Sequence, residues 1–291
     1  MLIFRRLLFI ICWLPGLSWS QESLDDSLPL WDYGIALAYL RFAYYPASDQ
    51  TKTWYLPVPT FAYRGEILRS TRRDGTRAYF IRSNNWSLEL GGEGVPEVKS
   101  NETFSRQGMQ NIPWSLQLGP KIIYRSDHGW QLGLGLYKSI VTDFIRLSTN
   151  GFIYVGQASQ VWHFDNNKFS LGFGAKGASQ EYLGTYFDVS AENATPTRPT
   201  YDSTPGFLSY EVGLGHSYKF QKYTFFTYIT SERFELSANR TSPLHRSNEN
   251  LSVAFGLSYT LGESKKISVP EREAEGLLQK IKFPNLQTQE E

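Results

Sequence analysis

Cysteine is almost missing. The single one, Cys12, lies in an apolar N-terminal stretch, so neither a disulfide framework nor a thiolate metal site can organise the rest of the chain. A lipidation site is excluded too, because Cys12 follows Ile10-Ile11 without the small residue such a site needs and sits too early in that stretch. Beyond it, no run approaches the roughly 18 consecutive apolar residues of a membrane helix. Excess charge is absent: 29 Lys and Arg stand against 28 Asp and Glu, without the basic surplus that marks a nucleic-acid binder. Neither a Gly-x-Ser-x-Gly elbow nor a phosphate-binding glycine loop is present. The four histidines, His128, His163, His216 and His245, show no His-x3-His spacing, which argues against a metal centre.

Residues 1–20 read as a signal peptide. Arg5 and Arg6 are its basic region, Leu7 to Leu17 its apolar region, and Ser18-Trp19-Ser20 a small-x-small cleavage site. The apolar region, interrupted by Pro15, is too short to span a bilayer. Cleavage would leave Gln21 as the first residue and, without Arg5 and Arg6, 27 basic residues against 28 acidic ones.

What the chain has in quantity is aromatics, 15% of its residues, set in a period-two pattern. Leu251, Val253, Phe255, Leu257, Tyr259 and Leu261 alternate with Ser252, Ala254, Gly256, Ser258 and Thr260. A strand with that pattern has one greasy face and one small or polar face. The same split recurs around Trp130–Leu136, Phe169–Ala175, Leu208–Leu214 and Trp114–Leu118. A second face rich in Gly, Ser and Gln suits the interior of a barrel whose apolar face meets lipid. Tyr33, Trp114, Trp130, Tyr218, Tyr223 and Tyr259 would then stand near strand ends as interfacial girdles.

The pattern predicts twelve strands, at 32–45, 54–65, 76–82, 85–92, 114–125, 130–140, 150–163, 168–178, 183–191, 206–220, 223–235 and 249–261, an even count as a bacterial single-chain barrel requires. Polar connections at Ser126–Gly129, Asp165–Lys168 and Gln221-Lys222 fit short turns. If all twelve strands cross, however, the first two turns fall opposite the third. Either 183–191 is not a full strand or short turns occur at both ends. The expected organisation is a signal peptide at 1–20, an antiparallel transmembrane barrel at 21–261 and a charged periplasmic tail at 262–291. In the tail, Glu271, Glu273 and Glu275 precede Leu277, Leu278 and Ile281, with Lys280 and Lys282 late, as in a short amphipathic helix.

Several short segments, taken in order, resemble one family. Tyr186-Phe187-Asp188-Val189-Ser190 with Ala194, Tyr201 and Gly206, and then Ser242-Pro243-Leu244 with Asn250 and Gly256-Leu257-Ser258-Tyr259, are similar to the MipA/OmpV family of outer-membrane proteins. Tyr44-Tyr45-Pro46-Ala47-Ser48, Leu56-Pro57-Val58-Pro59, Gly108-Met109 and Leu118-Gly119-Pro120 precede them in the family's order. Two departures stand out: Asp188 replaces the usual glycine, and the chain runs on past its last strand. The resemblance implies an outer-membrane barrel among envelope lipids that serves as a scaffold, with a murein lytic transglycosylase and a peptidoglycan synthase as partners. Other members of the family are described as porin-like or as surface antigens. It carries over no catalytic, cofactor or metal residue.

Two alternatives to the scaffold remain open at this point. The Gly/Ser/Gln face would suit a pore or transporter. His245-Arg246-Ser247 would place an imidazole and a hydroxyl on one strand face, as a lipid hydrolase could use, although no third, orienting group is identifiable. The sequons at Asn85, Asn101, Asn193, Asn239 and Asn250 are read as chance matches, and no catalytic, cofactor or metal site is assigned.

Overall fold

The computed structural model describes residues 28–71, 75–142, 147–269 and 276–277. The signal peptide at 1–20 and nearly all of the tail helix lie outside them. Twelve described strands close into an antiparallel barrel: β1 (Trp31–Ala43), β2 (Thr51–Arg64), β3 (Leu68–Thr71), β4 (Gly75–Arg82), β5 (Trp86–Val95), β6 (Ser115–Arg125), β7 (Trp130–Thr142), β8 (Leu147–Phe164), β9 (Asn167–Ala178), β10 (Gly206–Phe220), β11 (Tyr223–Arg233) and β12 (Glu249–Glu263). Each strand pairs with its neighbours in sequence, and β12 returns to β1 from Asp32 opposite Glu263 to Arg41 opposite Val253.

The period-two pattern decides which face points where. In β1, Asp32, Gly34, Ala36, Ala38 and Leu40 face the lumen, while Ile35 and Leu37 face out at 45% and 64% exposure. Across the barrel the outward set includes Leu134, Leu214, Phe225 and Phe255, all exposed. At the end carrying the short turns, aromatic pairs ring the outside: Trp86 with Tyr124 at 4.8 Å and Tyr223 with Tyr259 at 4.9 Å between ring centroids. Tyr33, Trp130, Tyr218, Tyr223 and Tyr259 lie in strands there as expected, whereas Trp114 precedes β6 and lies in a loop.

The expected strand at 183–191 is absent. Gln180–Phe187 is an α-helix, α1, which buries Tyr182, Leu183, Tyr186 and Phe187. Those residues recur at a spacing of four, which gathers them on one helix face. A short strand that the pattern did not predict, β3, takes its place in the count and resolves the turn conflict. With β3 inserted, the connections at 65–67, 83–85, 126–129, 165–166 and 221–222 all fall at one end. The long connections, at 44–50, 96–114, 179–205 and 234–248, fall at the other.

Because β3 is short, β2 pairs with it only at Tyr63 and Arg64, while β1 covers β2 from Thr51 to Tyr63. Among the described residues, 51–62 of β2 therefore have no strand on the β3 side. Pro57 and Pro59 fall in this stretch. Lacking N–H groups, they are suited to an open edge and deter another strand from adding to it. One further departure is local: a bulge between Phe207 and Ser209 turns Leu208 inward at 3% exposure, away from the outward row predicted for it.

Candidate functional site

The long-loop end is folded into a cap with an apolar core of its own. Tyr45, Val98, Ile112, Phe187, Phe234 and Leu244 are among its buried members, drawn from all four long loops. α1 crosses beneath them and is admitted by Gly151, whose φ is +69°. A Cβ there would lie 2.6 Å from the Tyr182 backbone nitrogen, so only glycine lets the helix approach β8 this closely.

Buried polar groups tie the loops together. The Asn250 side chain accepts from Ala47 N at 2.9 Å and donates to Ser48 O at 2.7 Å, joining β12 to the 44–50 loop. Tyr45 OH donates to Leu244 O at 3.0 Å and shares a 2.7 Å hydrogen bond with Ser105 Oγ. Ser242 Oγ donates to Phe187 O at 2.8 Å, and Asn239 bonds both Thr204 N and Thr204 O. Arg106, 4% exposed, donates to Tyr186 O at 3.0 Å at the C-terminal end of α1, where a cation complements the helix dipole. Burial pushes its guanidinium below the ordinary arginine value and the Tyr45 hydroxyl above the ordinary tyrosine value.

Asp188, one of the departures from the family pattern, has a role here. Its φ is −69°, so the position does not need glycine. Its carboxylate accepts from Ser203 N at 2.7 Å, and the other oxygen lies 2.5 Å from where a Cβ on Gly184 would be. The side chain thus fills the space that Gly184 leaves and pins the end of the long loop.

Below the cap the lumen holds two charged groups. Near α1, Lys176 Nζ bridges Glu211 at 2.8 Å and Glu232 at 3.2 Å, Ser209 Oγ donates to Glu232 at 2.6 Å, and Gln117 Nε2 donates to Tyr182 OH at 3.0 Å. Toward the short-turn end, Arg64 pairs with Asp32 at 2.7 Å and Arg125 with Glu89 at 2.8 Å. Besides Lys176 and Glu211, inward positions on the β9–β10 wall include the small residues Ser170, Gly172, Gly174, Gly213, Gly215 and Ser217.

The residues weighed for chemistry do not assemble. His245 Nε2 bonds Asn248 Oδ1 at 3.0 Å, and its ring lies 6.3 Å from those of Phe187 and Phe234. Ser247 Oγ instead donates to Glu249 O at 2.6 Å. Both residues lie in a loop rather than on a strand face, and no hydrogen bond joins them among the described residues, which corrects the hydrolase alternative. His216 stacks on Phe169 on the outer wall, and His128 lies in the 126–129 turn. Among the described residues no group of three or more His, Cys, Asp or Glu could hold a metal ion.

A closed meander barrel, polar within, apolar without and capped by its loops, is the class of protein that this geometry defines. The sequence model of the family described as MltA-interacting protein MipA matches residues 34–261, and the chain belongs to that family. No curated protein matches it. Among solved structures it is similar to a porin, at 9% identity and a TM-score of 0.31, over 79% of this chain and all of that one. A bacterial polysaccharide outer-membrane secretin matches at 9% identity and 0.34, over 81% and 99%, and the NanC porin at 10% and 0.31, over 78% and 100%.

The landmark segments, scattered along the sequence, largely converge on the cap. Tyr45, Ala47, Phe187, Val189 and Leu244 belong to its core, with Met109, Ala194 and Tyr201 packed against it. The exceptions are in the walls, where Leu118-Gly119-Pro120 and Gly256–Tyr259 build β6 and β12, and the Pro57/Pro59 segment forms the open edge of β2.

Proposed function

We propose that this chain is an outer-membrane barrel that acts as a scaffold for murein-remodelling enzymes rather than as a catalyst or an open pore. Its apolar belt supports the membrane reading, since soluble monomers rarely expose contiguous apolar surface beyond a few hundred Å². Most strands reach or exceed the roughly 9–11 residues that a tilted transmembrane strand needs. Short turns mark the periplasmic end of such barrels, and long loops the outer end. In that orientation β1 begins and β12 ends at the periplasmic side, which fits a chain exported by a signal peptide at 1–20 and carrying a periplasmic tail at 262–291.

The observation that carries the scaffold reading over the pore reading is the cap. A solute passing through the barrel would have to separate loops that share an apolar core and several buried hydrogen bonds. The family's description supplies the partner class, a murein lytic transglycosylase, and the resemblance adds a peptidoglycan synthase. Affinity-tagged protein from outer-membrane fractions should show heat-modifiable mobility and co-purify the transglycosylase. Heat-modifiable protein that never retains a transglycosylase, even after crosslinking in cells, would remove the scaffold role and leave the barrel intact.

A further inference from the structure

The barrel wall is notched beside β2. Arg64 N donates to Leu30 O at 2.7 Å, and the register of β2 on β1 runs on from there without a shift. Even-numbered residues of β2 therefore turn their main-chain groups to β1, and odd-numbered ones turn theirs away from it. On that side Tyr63 meets Ser70 of β3, but among the described residues no strand meets Tyr55, Pro57 or Pro59. The β3–β4 hairpin cannot reach them, since Thr71 already lies opposite Gly75 with three residues between. Across the notch, Gly92 to Val95 of β5 have β6 as their only paired strand among the described residues. Above it, Lys52 holds Glu102 of the 96–114 loop at 2.6 Å. Below it, the hairpin carries a row of buried arginines, with Arg69 opposite Arg77.

Two features set what fits there. The edge accepts hydrogen bonds and scarcely donates them, because Pro57 and Pro59 offer carbonyls without N–H groups and leave Tyr55 as the donor of the three. Unpaired carbonyls are costly in the hydrocarbon of a bilayer, so a donor must come to meet them. The inner side of β2 is apolar, unlike the charged walls around Lys176 and Arg125. Trp54, Leu56 and Val58 face the lumen half-buried, opposite the buried Leu40, Ala38 and Ala36 of β1. On the outside, Tyr55 is 76% exposed, with its ring 5.1 Å from that of Tyr39. Apolar surface thus continues from the outer belt through the notch and into the lumen. Trp54 to Val58 rises ~13 Å along the strand, close to the ~15 Å depth of one leaflet of a ~30 Å core.

We propose that the notch is a lateral port that seats an outer-leaflet lipid. Its acyl chain lies against Trp54, Leu56 and Val58, and its hydroxyl or amide N–H donates to the carbonyls of Tyr55, Pro57 and Pro59. This rests on the outer-membrane reading and its orientation, which place 51–62 in the outer half of the bilayer. An added strand does not suit the edge, because two of its carbonyls would face proline rings instead of N–H groups. The cap closes the lumen from above, and the port opens it sideways to lipid. A lipid without a donor has nothing to give the edge and is discriminated against.

The test uses the full chain in detergent micelles and two fluorescent lipids with the same phosphocholine headgroup and the same labelled acyl chain. Sphingomyelin carries a hydroxyl and an amide N–H, and phosphatidylcholine carries neither. Sphingomyelin should bind at least about fivefold more tightly, the effect of one net hydrogen bond. V58D, and V58W, which fills the same place without a charge, should each weaken sphingomyelin at least about tenfold while keeping heat-modifiable mobility. P57A/P59A returns two N–H donors to the edge and should narrow the preference between the lipids. Equal binding of the two lipids, a preference untouched by P57A/P59A, or sphingomyelin binding indifferent to both Val58 variants would overturn the port while leaving the outer-membrane reading intact. Absence of the chain from the outer-membrane fraction would instead defeat that reading, and the port with it.

Discussion

The two ends of this barrel solve opposite problems with the same strands. At the short-turn end, connections such as 165–166 and 221–222 are as brief as hairpins allow, and the inward wall is crowded with arginine. At the other end the connections are long, and they fold on one another around an apolar core in which even the polar groups, Asn239 and Asn250, are buried. One end keeps its charge and forgoes extra fold; the other is a small folded unit resting on a rim. The cap should therefore be separable from the barrel: damage to it should loosen the loops and leave the strand ladder closed.

The largest expected effect comes from emptying the cap core. Phe187→Ala removes a fully buried side chain and should cost the cap about 3–5 kcal/mol. Amide exchange should rise across 96–114, 179–205 and 234–248 while heat-modifiable mobility persists. Loss of that mobility would show that cap and barrel fold as one unit.

Asn250→Ala should do less, about 1–3 kcal/mol, by leaving Ala47 N and Ser48 O without their side-chain partner. Faster exchange should be confined to the 44–50 loop and its contacts, measured by the same method.

Acid should weaken the cap as well. His245 is held below its ordinary value, first by burial, while its bond to Asn248 opposes the shift and Arg240 adds to it. The neutral ring is therefore the form that the folded cap prefers. Its contribution is complete above the unfolded value of about 6.5 and is lost as pH falls from there through the lowered folded value. The urea midpoint of cap opening, followed by near-UV circular dichroism, should drop between about pH 7.5 and 5.5 in the wild type and drop less in His245→Gln. The smallest effect belongs to the partly exposed Lys52–Glu102 pair at 2.6 Å, where Lys52→Ala should change the same midpoint by less than about 1 kcal/mol.

How much of this was legible in the sequence follows from what period two can encode. β7, β9 and β12 have apolar rows facing outward against mostly small or polar rows facing the lumen, and alternation finds them. β3 has four residues, too few for alternation to register, yet its insertion sets the polarity of every later strand. The clustered aromatic and apolar residues of α1 imitate a strand, although Tyr182 with Tyr186 and Leu183 with Phe187 carry the helical spacing. The arginine row escaped because Arg69 and Arg77 become neighbours only through the register of β3 on β4. Convergence of the landmark segments was equally hidden, since Ala47 meets Asn250 across some two hundred residues of sequence.

Whether the cap closes the barrel can be read by single-channel recording in planar bilayers. Wild-type protein should give no sustained conductance, whereas Phe187→Ala, with the cap loosened, should open in resolvable steps. Steady conductance from the wild type, unchanged by Phe187→Ala, would make this chain an open pore.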